Sequence, residues 1–538
     1  MLFFNWRLFI IFAFVLIPRI LRPARLWGLY VDYMSDNNGQ DVTSPNKDYR
    51  RTIKYLGIFG GAQGLSMFLN IVRNKFASIL LGARGLGFIA LYNRTLQMFS
   101  ECTNLSLSFS AVRKLASVYE NEDKESAEYC VKIIRSVALL TGLVGMLLFM
   151  MLSPFISNWI FGSHSYYVTR FLMLSPVILF MAVSGGEVAV MRGVRRLNSL
   201  ALYSVWTALS SVAISVPLYF VMGLGGIFPS IFFIAFFQMA GALFFTLRIY
   251  RYRVSPFSLK LLRDGVDMIK MGAGYIYSSI LTSLSIWLVC KALSQIGDGA
   301  STGLFSAGFT IICMLPSILF AALDSDYYPR LSGIFGRHKE RNEVVNGQIE
   351  VHILIQAPLI LGVIVLLPEL IPLLYSNDFE PALKMTQIAM FALLFNTVTY
   401  PLSFMPLSKG DSFTFLVQES IYNVSFVVLI VLGYSRFGLT GVGVAMAMAR
   451  VIDLISAYMI AHYKYSFSFS SRVKRYFFMH AAIYIVACYS VFVIESHFNR
   501  AILCFGCVAC SVLLSMYMLS VHGNLLYKLF QRLFKRKG

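Results

Sequence analysis

Stretches of about 20 apolar residues, the length a helix needs to cross a bilayer, recur along almost the whole of this chain. In hydrocarbon every backbone N–H and C=O must be satisfied within the protein, so only helices and closed barrels cross. The alternating segments of about ten residues that build a barrel are absent from the sequence. An all-α polytopic membrane protein is expected, with spans near 54–72, 87–110, 133–152, 171–191, 200–220, 227–247, 269–290, 303–324, 349–367, 385–406, 413–433, 440–461, 477–494 and 501–520, fourteen in all. Only 13% of residues are charged, against about 25% in a soluble domain.

The spans repeat. Gly87-Phe88-Ile89-Ala90 opens the second and Gly303-Leu304-Phe305-Ser306-Ala307 the eighth, 216 residues later. Arg113 answers Arg330 at 217, Pro154 answers Pro368 at 214, and Gly223 answers Gly438 at 215. Six spans per half is an even number, so both halves share one orientation about an axis along the membrane normal. The expected organisation is an extension over 1–50, an N-lobe over 51–255 and a C-lobe over 256–465. Two unrepeated helices over 466–522 and a basic amphipathic tail over 523–538 follow. The extension is too short of apolar residues to span between Arg7 and Pro18, and Met34 is an alternative native start.

The formal net charge of +20 invites a nucleic-acid reading, but its placement argues for a membrane. Arg192, Arg195 and Arg196, then Arg248, Arg251 and Arg253, then Arg330, Arg337, Lys339 and Arg341, then Lys464, Arg472, Lys474 and Arg475 all fall in loops on one side. The other side holds few: Arg73, Lys75, Arg84, Arg170, Lys384, Arg436 and Arg500. The positive-inside rule puts the basic loops and both termini in the cytoplasm. The opposite loops are too short for a folded domain, which argues against a large external catalytic loop. Cys504, Cys507 and Cys510 have a metal-like spacing, but on an apolar helix they read as small packing residues.

No metalloprotease, phosphate-loop or nucleophile-elbow motif is present, so no catalytic residue and no cofactor are expected. Gly57, Gly60, Gly61 and Gly64 in the first span read as sites of close helix packing or bending. The informative residues are ionisable ones within the spans or at their rims, which normally face a partner or a wet cavity. Arg94, Gln97 and Glu101 share one face of the second helix, and Arg450 and Asp453 one face of the twelfth. Lys291 ends the seventh helix beside Trp287, while Arg73 and Lys75 cap the first; Glu187, Asp324, Asp326 and Glu419 complete the set. Pairing of Arg94 with Glu101, and of Arg450 with Asp453, would neutralise the pairs and glue helices. Yet Arg73, Lys75, Arg94 and Lys291 exceed what Glu101 balances, and an anionic substrate would supply the missing charge. Arginine suits phosphate because its planar fork donates bidentately. Asp324 is expected to anchor a loop or gate, and the charges are expected not to follow the repeat.

The run Asn74-Lys75-Phe76-Ala77-Ser78-Ile79-Leu80-Leu81-Gly82-Ala83-Arg84-Gly85-Leu86-Gly87, with Ala111-Val112-Arg113-Lys114 before an acidic loop, resembles a known superfamily. It is the multidrug/oligosaccharidyl-lipid/polysaccharide (MOP) exporter superfamily, in its polysaccharide biosynthesis or O-antigen flippase branch. The resemblance implies two six-helix lobes forming a V-shaped cavity, in a bacterial inner membrane. It implies export of a polyprenyl-pyrophosphate-linked oligosaccharide by rocking lobes, beside membrane lipids and a polysaccharide polymerase machinery. Arg73, Lys75, Arg94 and Lys291 would hold the pyrophosphate. Glu101, Arg450, Asp453 and Asp324 would couple or gate, drawing on a proton or sodium gradient. A drug/cation antiporter of the same superfamily is the nearest alternative, but residues 54–72 carry no acidic side chain. A membrane glycosyltransferase or polymerase would need external catalytic carboxylates or arginines, and a scaffold would need no buried cations.

Overall fold

A computed structural model of the chain describes residues 45–104, 107–120, 124–161, 165–255, 258, 261, 263–266 and 273–522. Met34 with the extension before it, and the tail from Tyr527, lie outside the described residues. Those described are α-helical except for caps, short 3-10 turns and brief extended links. Residues 45–104 read as a single helix until Gly82, whose φ of 65 and ψ of −171 break it into α1 (45–81) and α2 (83–104). The expected polar break between the first two spans is therefore a single residue. That backbone conformation is open to glycine and strained for any side chain.

α3 (Leu107–Glu120), α4 (Lys124–Phe161), α5 (Ser165–Gly193), α6 (Leu197–Met222) and α7 (Ile227–Leu247) complete the N-lobe. α8 (Ala273–Ile296), α9 (Gly299–Gly333), α10 (His338–Leu374), α11 (Ala382–Phe391), α12 (Leu393–Lys409), α13 (412–437) and α14 (439–465) make the C-lobe. α15 (Ser471–Val493) and α16 (His497–His522) pack on α10. Gly223 (φ 52, ψ −131) and Gly438 (φ 59, ψ −146) adopt the same mirror-extended shape in the two lobes, so the repeat is one of backbone conformation as well as sequence. α9 continues through Asp324 to Gly333 instead of ending at the apolar limit, and α4 and α10 likewise extend into charged turns.

Among the described residues nine helical runs are long and apolar enough to cross a membrane, or ten if the pair α11 and α12, bent by 47°, counts as one span. Three of these runs, 61–104, 197–247 and 412–465, contain Gly82, Gly223 and Gly438. At about 1.5 Å per residue each is roughly twice the thickness of the hydrocarbon core.

Among the described residues three apolar cores hold the helices. One is shared by the lobes, joining Leu91, Ile178 and Ile231 to Trp287, Phe305, Leu361 and Val442. The other two are separate: Ala111, Leu115, Ile134 and Val190 in the N-lobe, and Leu331, Ile349, Leu402 and Ala461 in the C-lobe. The lobes are thus fused at the end of Gly82 and Gly438 and hold distinct cores at the basic-loop end, the plan of a V.

At the basic-loop end each lobe closes around a buried arginine. Arg135 on α4 donates Nη1 to the Arg251 carbonyl at 2.8 Å, beyond the end of α7. Arg341 on α10 donates Nη2 to the Tyr465 carbonyl at the end of α14. The segments beyond are tied equivalently, Ser255 N to Ser136 Oγ at 2.9 Å and Ser470 N to Asn346 Oδ1 at 2.8 Å. Ser255 and Ser470 are 215 apart. Arg341, expected as a loop charge, is only 2% exposed, because the helix it belongs to starts at His338 and turns it inward.

Candidate functional site

Arg94 lies on α2 twelve residues beyond Gly82, and Arg450 lies on α14 twelve residues beyond Gly438. At the helical rise both are about 18 Å along their helices from the fused end. Their surroundings differ. Arg94 is half-buried, donates Nη1 to Gln97 Oε1 at 3.1 Å, and holds its guanidinium 6.0 Å from the Phe309 ring of α9. Glu101 does not pair with it: among the described residues the two form no ion pair. The carboxylate is instead satisfied across the lobe interface by the Ser279 hydroxyl of α8, at 2.8 Å. The alternative reading, in which the two neutralise one another on their shared face, is not met.

Arg450 does pair as expected, with Asp453 at 3.3 Å. It also donates to Asn396 Oδ1 at 3.4 Å and lies 4.4 Å from the Tyr422 ring centroid. Glu419, one turn before Tyr422, accepts from Ser278 Oγ at 3.0 Å and lies within electrostatic reach of Arg450 and Asp453. Asn396, Tyr422 and Ser278 escape a reading by charge alone. The available signal was an asparagine within an apolar span and a tyrosine three residues beyond Glu419. Ser278 and Ser279 are neighbours on α8, so one helix touches both the C-lobe cluster and Glu101 of the N-lobe.

The other three cations each contact a different element. Arg73 donates to Ser211 Oγ of α6 at 3.1 Å and to Asn74 Oδ1 at 3.3 Å. Lys75 Nζ donates to the Pro372 carbonyl of α10 at 2.6 Å. Lys291 is buried, with Nζ 3.2 Å from the ring centroid of Trp159 on α4. An ammonium at membrane depth needs a nearby partner, and a helix-terminal carbonyl or an aromatic face is enough.

Glu187 is structural: Arg135 donates to it bidentately at 2.8 and 2.9 Å, both side chains 1% exposed. Asp324 and Asp326 lie in α9, outside the residues whose side chains are described. Gly61 and Gly64 face open space, so close packing is not their role. The close approach is elsewhere. A Cβ on Gly87 would overlap the Gly299 carbonyl, and one on Gly303 would overlap the Ala83 carbonyl and come within 2.9 Å of Gly87 N. α2 and α9, equivalent helices of the two lobes, cross there. Beside the crossing Asp298 caps α9; its carboxyl is held below the usual range first by the Ser301 N–H and last by the charge of Arg84 across the interface.

The family model described as "Polysaccharide biosynthesis protein" matches residues 54–335, from α1 through α9. The chain belongs to this family. No curated protein matches the sequence. Among solved structures, this polysaccharide biosynthesis protein is similar to the lipid II flippase MurJ in an inward closed conformation, with 16% identity, 86% of this chain and 98% of that chain covered, and a TM-score of 0.65. It is also similar to a multidrug resistance MATE family transporter of the MOP superfamily. For the inward-facing conformation identity is 14%, coverage 76% of this chain and 96% of that one, and the TM-score 0.62. For the outward-facing conformation the values are 13%, 75%, 93% and 0.54. The fold of this multi-pass membrane protein is therefore that of the MOP transporters.

Proposed function

We propose that the chain is a flippase exporting a polyprenyl-pyrophosphate-linked oligosaccharide, of O-antigen or capsule type, across a bacterial inner membrane. The observation that carries this reading is Arg94. It stands well inside the membrane-spanning part with a neutral amide as its hydrogen-bond partner, while Glu101 is satisfied by Ser279. Its guanidinium retains donors for a phosphate oxygen, and Arg73 adds a second cation on α1. Lys75 and Lys291 are occupied by the Pro372 carbonyl and the Trp159 ring and stand outside this anion site.

The positive-inside rule supports an orientation with the separated cores toward the cytoplasmic side. The V then faces inward, in keeping with the higher TM-score against the inward-facing than the outward-facing MATE transporter. Rocking of the lobes about the fused end would pass the headgroup outward. The Arg450–Asp453–Glu419 cluster is proposed to couple this motion to a proton or sodium gradient, because it concentrates two carboxylates around one arginine within the C-lobe.

In a flippase-null strain, Arg94→Ala should abolish surface glycan while the protein remains inserted at normal abundance, and Arg94→Lys should restore part of it. Normal surface glycan with Arg94→Ala would sink the anion-site reading. Loss of cationic-drug efflux with glycan unaffected would favour the antiporter.

A further inference from the structure

Lys75 and Lys291 are 216 residues apart, the offset that relates Gly87 to Gly303. They are repeat mates, so the expectation that charge does not follow the repeat fails for this pair. Each lies in the last two turns of equivalent helices, α1 and α8. Each reaches the opposite lobe at the same place. Lys75 donates to the carbonyl of Pro372, third from the end of α10. Lys291 covers the ring of Trp159, third from the end of α4, and Gln295, one turn on, donates to the Trp159 carbonyl at 2.5 Å. α2 and α9, the helices that follow α1 and α8, meet at the glycine crossing.

We propose that Lys75 and Lys291 are a pair of equivalent latches holding the lobes shut at the glycine-crossing end, and that both release when the protein opens there. Carbonyls in a helix's last turn lack intrahelical donors and form the negative end of its dipole, so they hold an ammonium without a carboxylate. An indole face does the same for Lys291. Release therefore exposes a lysine to water and strands no buried acid, which suits a contact that must break in every cycle. As positioning residues the lysines act on the lobes and not on the headgroup. The proposal rests on the transporter reading only for the existence of an open state.

The test is a distance. Met222 and Phe437 are exposed, lie on opposite lobes at the crossing end, and are themselves 215 apart. Both would be replaced by p-acetylphenylalanine carrying spin labels, leaving the native cysteines intact, and the full chain measured in lipid nanodiscs. Lys75→Ala and Lys291→Ala should each raise the ratio of long-distance to short-distance populations about tenfold, and the pair together about a hundredfold, since separate contacts add. Lys291→Arg, which keeps a cation on the indole, should stay close to the wild type. Unchanged distances in both alanine variants would overturn the latch, all the more if transport is lost, since the lysines would then serve the substrate. A shift in one variant only would overturn the pairing. If no lipid-linked glycan moves in any assay, the distance result stands or falls on its own.

Discussion

A charge placed at membrane depth costs about 2.5–3.5 kcal/mol on insertion scales, and those named below each have a physical answer. For Lys75 and Lys291 it is a terminal carbonyl and a ring; for Arg450 it is Asp453, Asn396 and Tyr422; for Arg94 it is one amide and the Phe309 ring. Outside the spans Asp411 shows the same logic in water. It caps α13, accepts from Lys464 Nζ at 2.7 Å and Tyr465 Oη at 3.0 Å, and so ties the start of α13 to the end of α14. Lys464 first, with the Thr414 N–H behind it, holds the Asp411 carboxyl well below the usual range. A depressed folded-state value stabilises above the unfolded value, near about pH 4, and that stabilisation fades as pH falls toward the folded one. The gap in unfolding temperature between the wild type and Asp411→Asn should therefore be constant from neutral pH to about 5 and narrow below about 4. A gap indifferent to pH would contradict this. Spacing alone could place Arg94 and Glu101 on one face, but not reveal that Ser279, 178 positions away, claims the carboxylate.

At the scale of elements, the lobes are fastened at the basic-loop end by Arg135 and Arg341, and the sequence hides both. Arg135 is two residues inside the start of an expected span, and Arg341 reads as one charge among several in a loop. Only the long helices α4 and α10, whose charged turns continue past the apolar limit, carry them inward. Breaking a buried pair leaves the surviving charge without its partner, so Glu187→Gln should cost about 3–5 kcal/mol. Replacing both members by apolar residues, as in Arg135→Met with Glu187→Leu, should cost less. Thermal unfolding in detergent measures both; a double variant weaker than Glu187→Gln would contradict the account. The all-helical membrane architecture and the twofold repeat were legible because hydropathy period and loop charge are local signals. That the breaks at Gly82 and Gly438 are single residues was not, since one glycine looks like any other until φ is known.

At the scale of the whole molecule, the lobes share a core at one end, keep separate cores at the other, and cross where two equivalent glycines leave no room for a methyl group. Gly303→Ala should push α9 off α2, lengthen the distance between labels at 222 and 437, and impair transport. An unchanged distance would mean that the crossing yields elsewhere. The repeat supplies the scaffold and the two lysines, while Arg94 and the Arg450 cluster occupy matching depths with different chemistry. The most direct measurement of the central claim is leaflet exchange in proteoliposomes containing the purified full-length protein and a polyprenyl-pyrophosphate-linked oligosaccharide. The glycan should become accessible to an outside lectin faster than in protein-free vesicles, and Arg94→Ala should remove at least about nine-tenths of that rate, the loss of about 1.4 kcal/mol or more of headgroup stabilisation. Equal rates with the wild type and Arg94→Ala, or no exchange above protein-free vesicles, would contradict it.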